Sequence, residues 1–402
     1  MKSSWNEQKL SEFVEIIMGQ SPKSEYYNFD KDGMPFLQGN RTFGNLYPTY
    51  DTWCSNPTKI AKKNSVLMSV RAPVGDINIA PSDLCIGRGL SSLSMKNSNN
   101  RFLYYLLKAN HKKILSNESG TVFGSVNKNT IENISVLVTS NEKEQEAIAN
   151  ILSSLDDKIE LNNKINKNLE ELAQTLYKRW FVDFEFPNED GEPYKSSGGE
   201  MVESELGLIP KGWIIENVTN LFVFKGGSQP PKEEHIYEHR EGYVRFIQNR
   251  DYKEETRHLT FIKESPRNKT AEKLDILMDK YGEVGQIRYG IEGAYNVALA
   301  KIDPINSKNL ELLRGYFSQD SIREYLSNSS IASTRGSLNA TTFTGLKIAY
   351  TESEIKEAYS EFQTYILLKI LKNKEQNKKI SQIRDELLPK LMNGEIEVAI
   401  EE

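Results

Sequence analysis

The feature that most restricts this chain is that it is written twice. Trp5, in W-N-E-Q-K-L-S-E-F, returns 208 residues later as Trp213 in W-I-I-E-N-V-T-N-L, and at the same spacing Gly19 meets Gly227 and Pro22 meets Pro230. F-L-Q-G-N-R (36–41) is echoed by F-I-Q-N-R (246–250), and V-L-M-S-V-R-A-P-V-G (66–75) by I-L-M-D-K-Y-G-E-V-G (276–285) at a spacing of 210. The matches continue in order, F-G-S-V-N (123–127) with R-G-S-L-N (335–339) at 212 and I-N-K-N-L-E-E-L (165–172) with I-S-Q-I-R-D-E-L (380–387) at 215. An offset that creeps by so little across a whole module points to duplication, and a duplicated module predicts internal pseudo-twofold symmetry.

Each copy carries the same order of elements. K-N-S-V-L-M-S-V (63–70) and G-D-I-N-I-A (75–80) predict strands around a turn, 102–115 has helical periodicity, and a polar, Gly-rich loop at 116–130 leads into a strand at 134–138. The second copy repeats the pattern through G-L-K-I-A-Y at 345–350. The expected class is therefore α+β, with two similar domains at 1–140 and 211–350.

A long helix follows each domain. In 141–185, Ile148, Leu152, Leu155, Ile159, Ile165, Leu169, Leu172 and Leu176 recur mostly at three-and-four spacing, with Asn162 in the seam. In 351–395, Ile355, Phe362, Ile366, Ile380, Leu387 and Leu391 do the same, interrupted by Asn373 and Asn377. Helices of this length reach roughly 60 Å, beyond a domain of this size, so they are expected to pair as an antiparallel coiled coil whose register Asn162 and Asn373 would fix. Residues 186–210, rich in Gly, Pro, Ser and acid, read as a linker.

The net charge of −5 conceals an uneven distribution. Residues 1–140 hold 16 Lys/Arg against 11 Asp/Glu and 211–350 hold 20 against 18, whereas 141–210 hold 7 against 16 and 351–402 hold 8 against 11. The net acidic excess thus lies outside the two domains, whose mildly basic balance permits contact with a polyanion. The equivalent loops supply donors suited to phosphates and base edges: Arg41, Arg71, Arg88, Ser125, Asn127 and Lys128 in the first copy, Arg250, Arg257, Arg288, Arg335, Ser337 and Asn339 in the second. A protein-binding adaptor built on a coiled coil is the alternative that duplication and heptads alone allow.

Other chemistry finds little footing. Two cysteines, Cys54 and Cys85, build neither a disulfide framework nor a multi-cysteine zinc site. With no apolar run long enough to span a bilayer, a cytoplasmic protein with no membrane association is expected. His235, Glu238 and His239 fit H-x-x-E-H, but they lie in a polar, Pro-led stretch without an amphipathic helix or a clear third ligand, and the first copy has K-S-E-Y-Y-N (23–28) there; they read as loop variation, with no metal. There is no Asn/Asp-Pro-Pro-aromatic tetrapeptide and no G-x-x-x-x-G-K-[ST] loop, so no catalytic residue is expected.

Three segments, Y-K-R-W-F-V-D-F (177–184), E-L-G-L-I-P-K-G-W (205–213) and R-D-E-L-L-P-K-L-M-N-G-E-I (384–396), together with the whole-chain repeat, resemble the specificity subunits of type I restriction-modification systems. The resemblance implies two target-recognition domains that read the halves of an interrupted, asymmetric site in double-stranded DNA. It also implies a helical spacer that docks methyltransferase subunits, two of them, with restriction subunits as further partners. S-adenosylmethionine, ATP and Mg would then belong to the partners and not to this chain. Tyr177, Trp180 and Phe181, at the end of the first helix, are expected to bury apolar surface against a neighbouring domain or a methyltransferase subunit.

Overall fold

A computed structural model describes residues 4–116, 125–253, 259–331 and 337–400. The chain divides into two compact units, residues 1–164 with 374–402, and residues 165–373. No described helix is long and apolar enough to cross a membrane.

In the first unit, a four-stranded antiparallel sheet runs in the order Val14–Met18, Leu90–Met95, Val66–Ser69, Ile77–Ile79. The helix Asn100–Ala109 packs against it, burying Phe102 through Leu107. Asn99 caps that helix by accepting the Phe102 N–H at 3.2 Å, and Asn110 ends it by donating to the Leu106 carbonyl at 2.8 Å, so the periodic stretch 102–115 is two helices and not one. A second sheet orders Tyr27–Asn28, Trp53–Cys54, Met34–Leu37, Leu84–Ile86 and Ile60–Ala61, with a parallel pairing of Phe36 with Cys85 and Leu37 with Ile86. Trp5–Lys9 pairs with Ser135–Thr139 and closes the domain.

The second unit repeats this plan. Its four-stranded sheet runs Phe222–Gly226, Leu299–Pro304, Ile276–Asp279, Ile287–Arg288. A further sheet contains the parallel pair Phe246 with Ala294 and Ile247 with Tyr295, and Ile214–Asn217 pairs with Lys347–Tyr350 as the closing ribbon. The duplicated glycines explain themselves here. A Cβ on Gly19 would lie 2.2 Å from the Gly87 carbonyl oxygen, and one on Gly227 would lie 2.1 Å from that of Asn296. Gly75 and Gly285 both adopt left-handed backbone, φ 86° and 80°, at the same turn.

The long helices span Glu142–Tyr177 and Glu354–Met392. Asn141 starts the first by accepting the Lys143 and Glu144 N–H groups. Within the first unit, its opening half faces the closing half of the second helix: Arg384 meets Asp156 at 2.5 Å, and Leu388, Leu391 and Met392 join the core with Ile148 and Leu152. Within the second unit the sense is again antiparallel, with the Gln363 amide donating to the Ala173 carbonyl at 2.9 Å. Phe362 and Leu172, read as seam residues, are instead 58% and 51% exposed; Tyr359, Gln363 and Ile366 form the buried face.

The three family-like segments are the joints of this architecture. After Met392 the chain reverses through Gly394, φ 72°, where a Cβ would come within 3.0 Å of the Trp5 indole. The first helix ends in a π-type turn over Lys178–Val182 that turns Trp180 and Phe181 inward. Residues 186–210 are not a free linker. Met201–Ser204 and Gly207–Pro210 form a hairpin, and Phe186, Ile209 and Trp213 are buried together, Phe186 stacking on Trp213 at 5.2 Å. Apolar side chains spread thinly among Gly, Pro and acid are enough to hold the segment to the core.

Candidate nucleic-acid interface

In the first unit, backbone hydrogen bonds stitch three loops to one end of the four-stranded sheet. The Val70 N–H donates to the Gly89 carbonyl at 2.9 Å, the Gly89 N–H to that of Gln38 at 3.1 Å, and the Val126 N–H to that of Val70 at 3.0 Å. Arg71 lies opposite Ser125 in an isolated bridge. Ser21 Oγ accepts the Arg88 N–H at 3.3 Å and donates to Gln38 Oε1 at 2.9 Å, so Arg88 stands on a braced turn. Arg71, Arg88 and Ser125, far apart in sequence, are thus exposed on one rim.

Three further residues expected at this rim have partners within the unit. Arg41 pairs with Asp51 at 2.5 Å on the exposed surface, and Lys128 lies 3.6 Å from Glu132 one helical turn on. Asn127 caps the short helix Lys128–Glu132, accepting the Thr130 N–H at 2.9 Å.

The second unit builds the same rim from other side chains. Lys280 donates its N–H to the Ala298 carbonyl at 2.8 Å and Asn296 its own to Ile247 at 3.0 Å, the counterparts of the Val70–Gly89 bond and of the 2.8 Å Gly87–Leu37 bond. Arg250 is exposed on the turn Asn249–Tyr252. Asn339 caps the turn Ala340–Phe343 by accepting the Thr341 N–H at 2.9 Å, and Ser337 is almost fully buried. Arg257 and Arg335 lie outside the described residues.

Arg288 has a structural post. It donates to Asp279 at 2.8 Å and to Glu283 at 2.5 Å with only 13% of its side chain exposed. It stands where the first unit has Asn78, whose side chain donates to the Gly44 carbonyl at 2.9 Å and accepts the Gly44 N–H at 3.0 Å. Burial pushes the Asp279 carboxyl above its ordinary range even though Arg288 draws it back, and it pushes the neighbouring Tyr252 hydroxyl up as well. This framework leaves no mark in the sequence, because an arginine in a loop-like stretch reads the same whether it faces solvent or a buried aspartate.

The helix asparagines are buried, and each has found a partner of its own. Asn162 donates to Gln376 at 2.9 Å and to Asn377 at 2.8 Å in the first unit, whereas Asn373 donates to Asn166 at 2.8 Å in the second. Tyr177, Trp180 and Phe181 are 2%, 7% and 4% exposed. Phe181 packs on Tyr359 at 4.8 Å and on Trp213 at 5.6 Å, and Tyr177 covers Gly315 so closely that a Cβ there would lie 2.2 Å from its ring. These three therefore bury their apolar surface within the unit, against Trp213, Gly315 and Tyr359, which is the neighbouring-domain alternative of the expectation and not the methyltransferase one.

His235 lies tilted beside Phe246 at 5.1 Å and His239 edge-on to Phe261 at 5.5 Å, each against strand residues. Among the described residues, no three His, Cys, Asp or Glu side chains come together as a metal site.

Comparison with known proteins places this architecture. Residues 2–171 match the family model described as the type I restriction modification DNA specificity domain. The type I restriction enzyme MjaIX specificity subunit of Methanocaldococcus jannaschii is 27% identical, over 98% of this chain and 94% of that one, and the HindI specificity subunit of Haemophilus influenzae is 27% identical over 73% and 77%. The MjaX protein of the same archaeon, provisionally named as a subunit of this type, is 42% identical, but over only 41% of this chain and 39% of its own length. The crystal structure of a type I restriction-modification S subunit from M. genitalium has the same fold, with a TM-score of 0.64 at 18% identity and 96% coverage of both chains. The matched domain in residues 2–171 and these likenesses in sequence make the chain similar to the specificity subunits of type I restriction-modification systems.

Proposed function

We propose that this chain reads an interrupted, asymmetric site in double-stranded DNA and positions modification subunits over it. The observation that supports this most directly is the rim built twice on one scaffold, with Arg71 and Arg88 exposed on one copy and different side chains at the matching places of the other. Two recognition domains, 1–140 and 211–350, would each read one half-site. The paired helices would act as a spacer, with the Asn162 and Asn373 contacts penalising slipped registers.

The chain would act without catalysis of its own. Methyl transfer with S-adenosylmethionine, and ATP- and Mg-dependent cleavage where a restriction subunit is present, would be carried by its partners. For docking, the second long helix offers Phe362, Tyr365 and Leu368, 58%, 70% and 50% exposed, in place of the buried aromatic cluster. Large apolar side chains at three-residue spacing on one exposed helix face suit a protein partner. The test is selection from a randomised duplex library by the full chain with its methyltransferase subunit. Enrichment of a two-part motif is expected, and uniform recovery of all sequences would overturn the reading.

A further inference from the structure

The two rims can be matched residue by residue. Leu67 pairs with Asn78 and Met68 with Ile77 in the first unit; Leu277 pairs with Arg288 and Met278 with Ile287 in the second, so the intervening turns have the same length. The other edge is fixed too, since Ser69 faces Leu90 and Asp279 faces Leu299. By this register Tyr281 occupies the place of Arg71, and Val297 the place of Arg88. Tyr281 and Val297 are 41% and 40% exposed, and both arginines are exposed as well.

Val297 is held partly exposed on a braced turn. Val297 sits between Asn296, whose N–H is bound to the Ile247 carbonyl and whose Oδ1 accepts the Ala298 N–H at 3.2 Å, and a strand whose own apolar residues are buried. It is therefore presented on a rigid element and not tucked into the core. Arginine offers a fork of N–H donors that matches guanine O6 and N7. Valine offers no donor or acceptor, and the apolar group that base pairs expose in the major groove is the thymine C5 methyl.

The geometry points to different base chemistry in the two half-sites: guanine read by Arg71 and Arg88 in the first, and a thymine methyl read by Val297, flanked by the Tyr281 ring, in the second. This rests on the DNA-reading function proposed above. It assigns Tyr281 and Val297 as specificity-determining residues, and it explains why one scaffold can yield an asymmetric site.

The experiment uses the full chain with its methyltransferase subunit and the motif enriched from a randomised library. Each thymine is replaced in turn by deoxyuridine, which removes only the methyl, and each guanine by 7-deazaguanine, which removes the N7 acceptor. Loss of a methyl is expected to weaken binding about five-fold at one position of one half-site, and loss of N7 about ten-fold in the other half-site. Val297→Ala should remove the methyl sensitivity, and Arg88→Ala the N7 sensitivity. Indifference of the wild-type chain to every thymine methyl would overturn the assignment whether or not the variants fold, and so would methyl and N7 sensitivity in the same half-site. A library that enriches no motif at all would instead overturn the DNA-reading proposal, and this inference with it.

Discussion

Arg384 and Asp156, on the two long helices, form a buried ion pair at 2.5 Å within the first unit, and Tyr105 donates to the second oxygen of the same carboxylate at 2.7 Å. The contact ties the helix pair to the helix Asn100–Ala109 of the globular domain. Arg384→Ala would leave the Asp156 charge buried without its guanidinium. Removing one partner of such a pair costs about 3–5 kcal/mol. Urea unfolding should show that loss in the first unit, while Asp385→Ala, which removes only an exposed carboxylate beside Arg384, should change stability little.

The carboxylates beside this pair predict a dependence on pH. Burial raises the Glu160 carboxyl above its ordinary value, and the charges of Asp156 and Asp157 raise it further. Because the folded state holds this proton more tightly than the unfolded chain, the folded form binds more protons between the ordinary glutamate value and the raised one. Stability therefore falls as pH rises through that window. Glu160→Gln should stabilise the protein at neutral pH by about 0.2–0.5 kcal/mol, the size of a like-charge contact one helical turn apart, and should flatten the pH profile. Thermal unfolding at several pH values measures both effects; a lower melting temperature for the variant at neutral pH would contradict them.

The glycine repeat predicts matched damage. Gly19 N–H donates to the Leu90 carbonyl at 2.9 Å and Gly227 N–H to the Leu299 carbonyl at 3.1 Å, each beside a second carbonyl oxygen with no room for a Cβ. Alanine at either site must push backbone against backbone, at a cost of about 1–3 kcal/mol. Limited proteolysis of Gly19→Ala should open the first unit and leave the second intact, and Gly227→Ala should do the reverse. Equal protection of both variants and the wild type would contradict the close approach.

Those glycines also show what the sequence alone reveals. A residue that is required by backbone contact leaves the same letter at the same spacing in both copies, so the duplication, the turn at Gly75 and Gly285 and one strand of each closing ribbon were legible, while the partner strands at 5–9 and 214–217 were not. Arg288 was not, because its counterpart is Asn78: the two do similar bracing work with different chemistry, which erases the repeat at that point. Tyr281 and Val297 were not legible for a different reason: neither side chain is charged, and a tyrosine or a valine beside a turn has the composition of ordinary packing. The segment 186–210 looked like a linker because its few apolar residues are diluted by Gly, Pro and acid, and only packing shows that Phe186 and Ile209 are core. In the helices, three-and-four spacing located the seams but let Leu172 and Phe362 pass as members.

Asn166 and Asn373 allow the seam to be tested directly in the second unit. Both are buried and share a 2.8 Å hydrogen bond. Asn373→Leu alone should cost about 1–3 kcal/mol by stranding the Asn166 amide. The double replacement Asn166→Leu/Asn373→Leu, which removes both polar groups, should recover most of that loss. A double-mutant cycle in urea gives the coupling energy; strict additivity of the two single changes would show that the amides do not interact.

The exposed stripe Phe362, Tyr365 and Leu368 separates assembly from folding. Trp180 lies beneath it, tilted edge-on to Phe362 at 6.4 Å, but Trp180 is buried and Phe362 is not. Truncating Trp180 to Ala should cost about 3–5 kcal/mol, so any loss of partner binding in that variant would follow from a damaged unit. Tyr365→Glu and Leu368→Glu change side chains that are 70% and 50% exposed, and they should leave melting temperature and the enriched DNA motif close to those of the wild type. If a methyltransferase subunit covers this face, a carboxylate there must be desolvated without a partner on binding, and complex formation should weaken by at least ten-fold. Size-exclusion chromatography and calorimetric titration with the purified methyltransferase subunit read this out. Undiminished affinity in both glutamate variants would remove the stripe from the docking surface, while a shifted motif with normal assembly would move it to the DNA side.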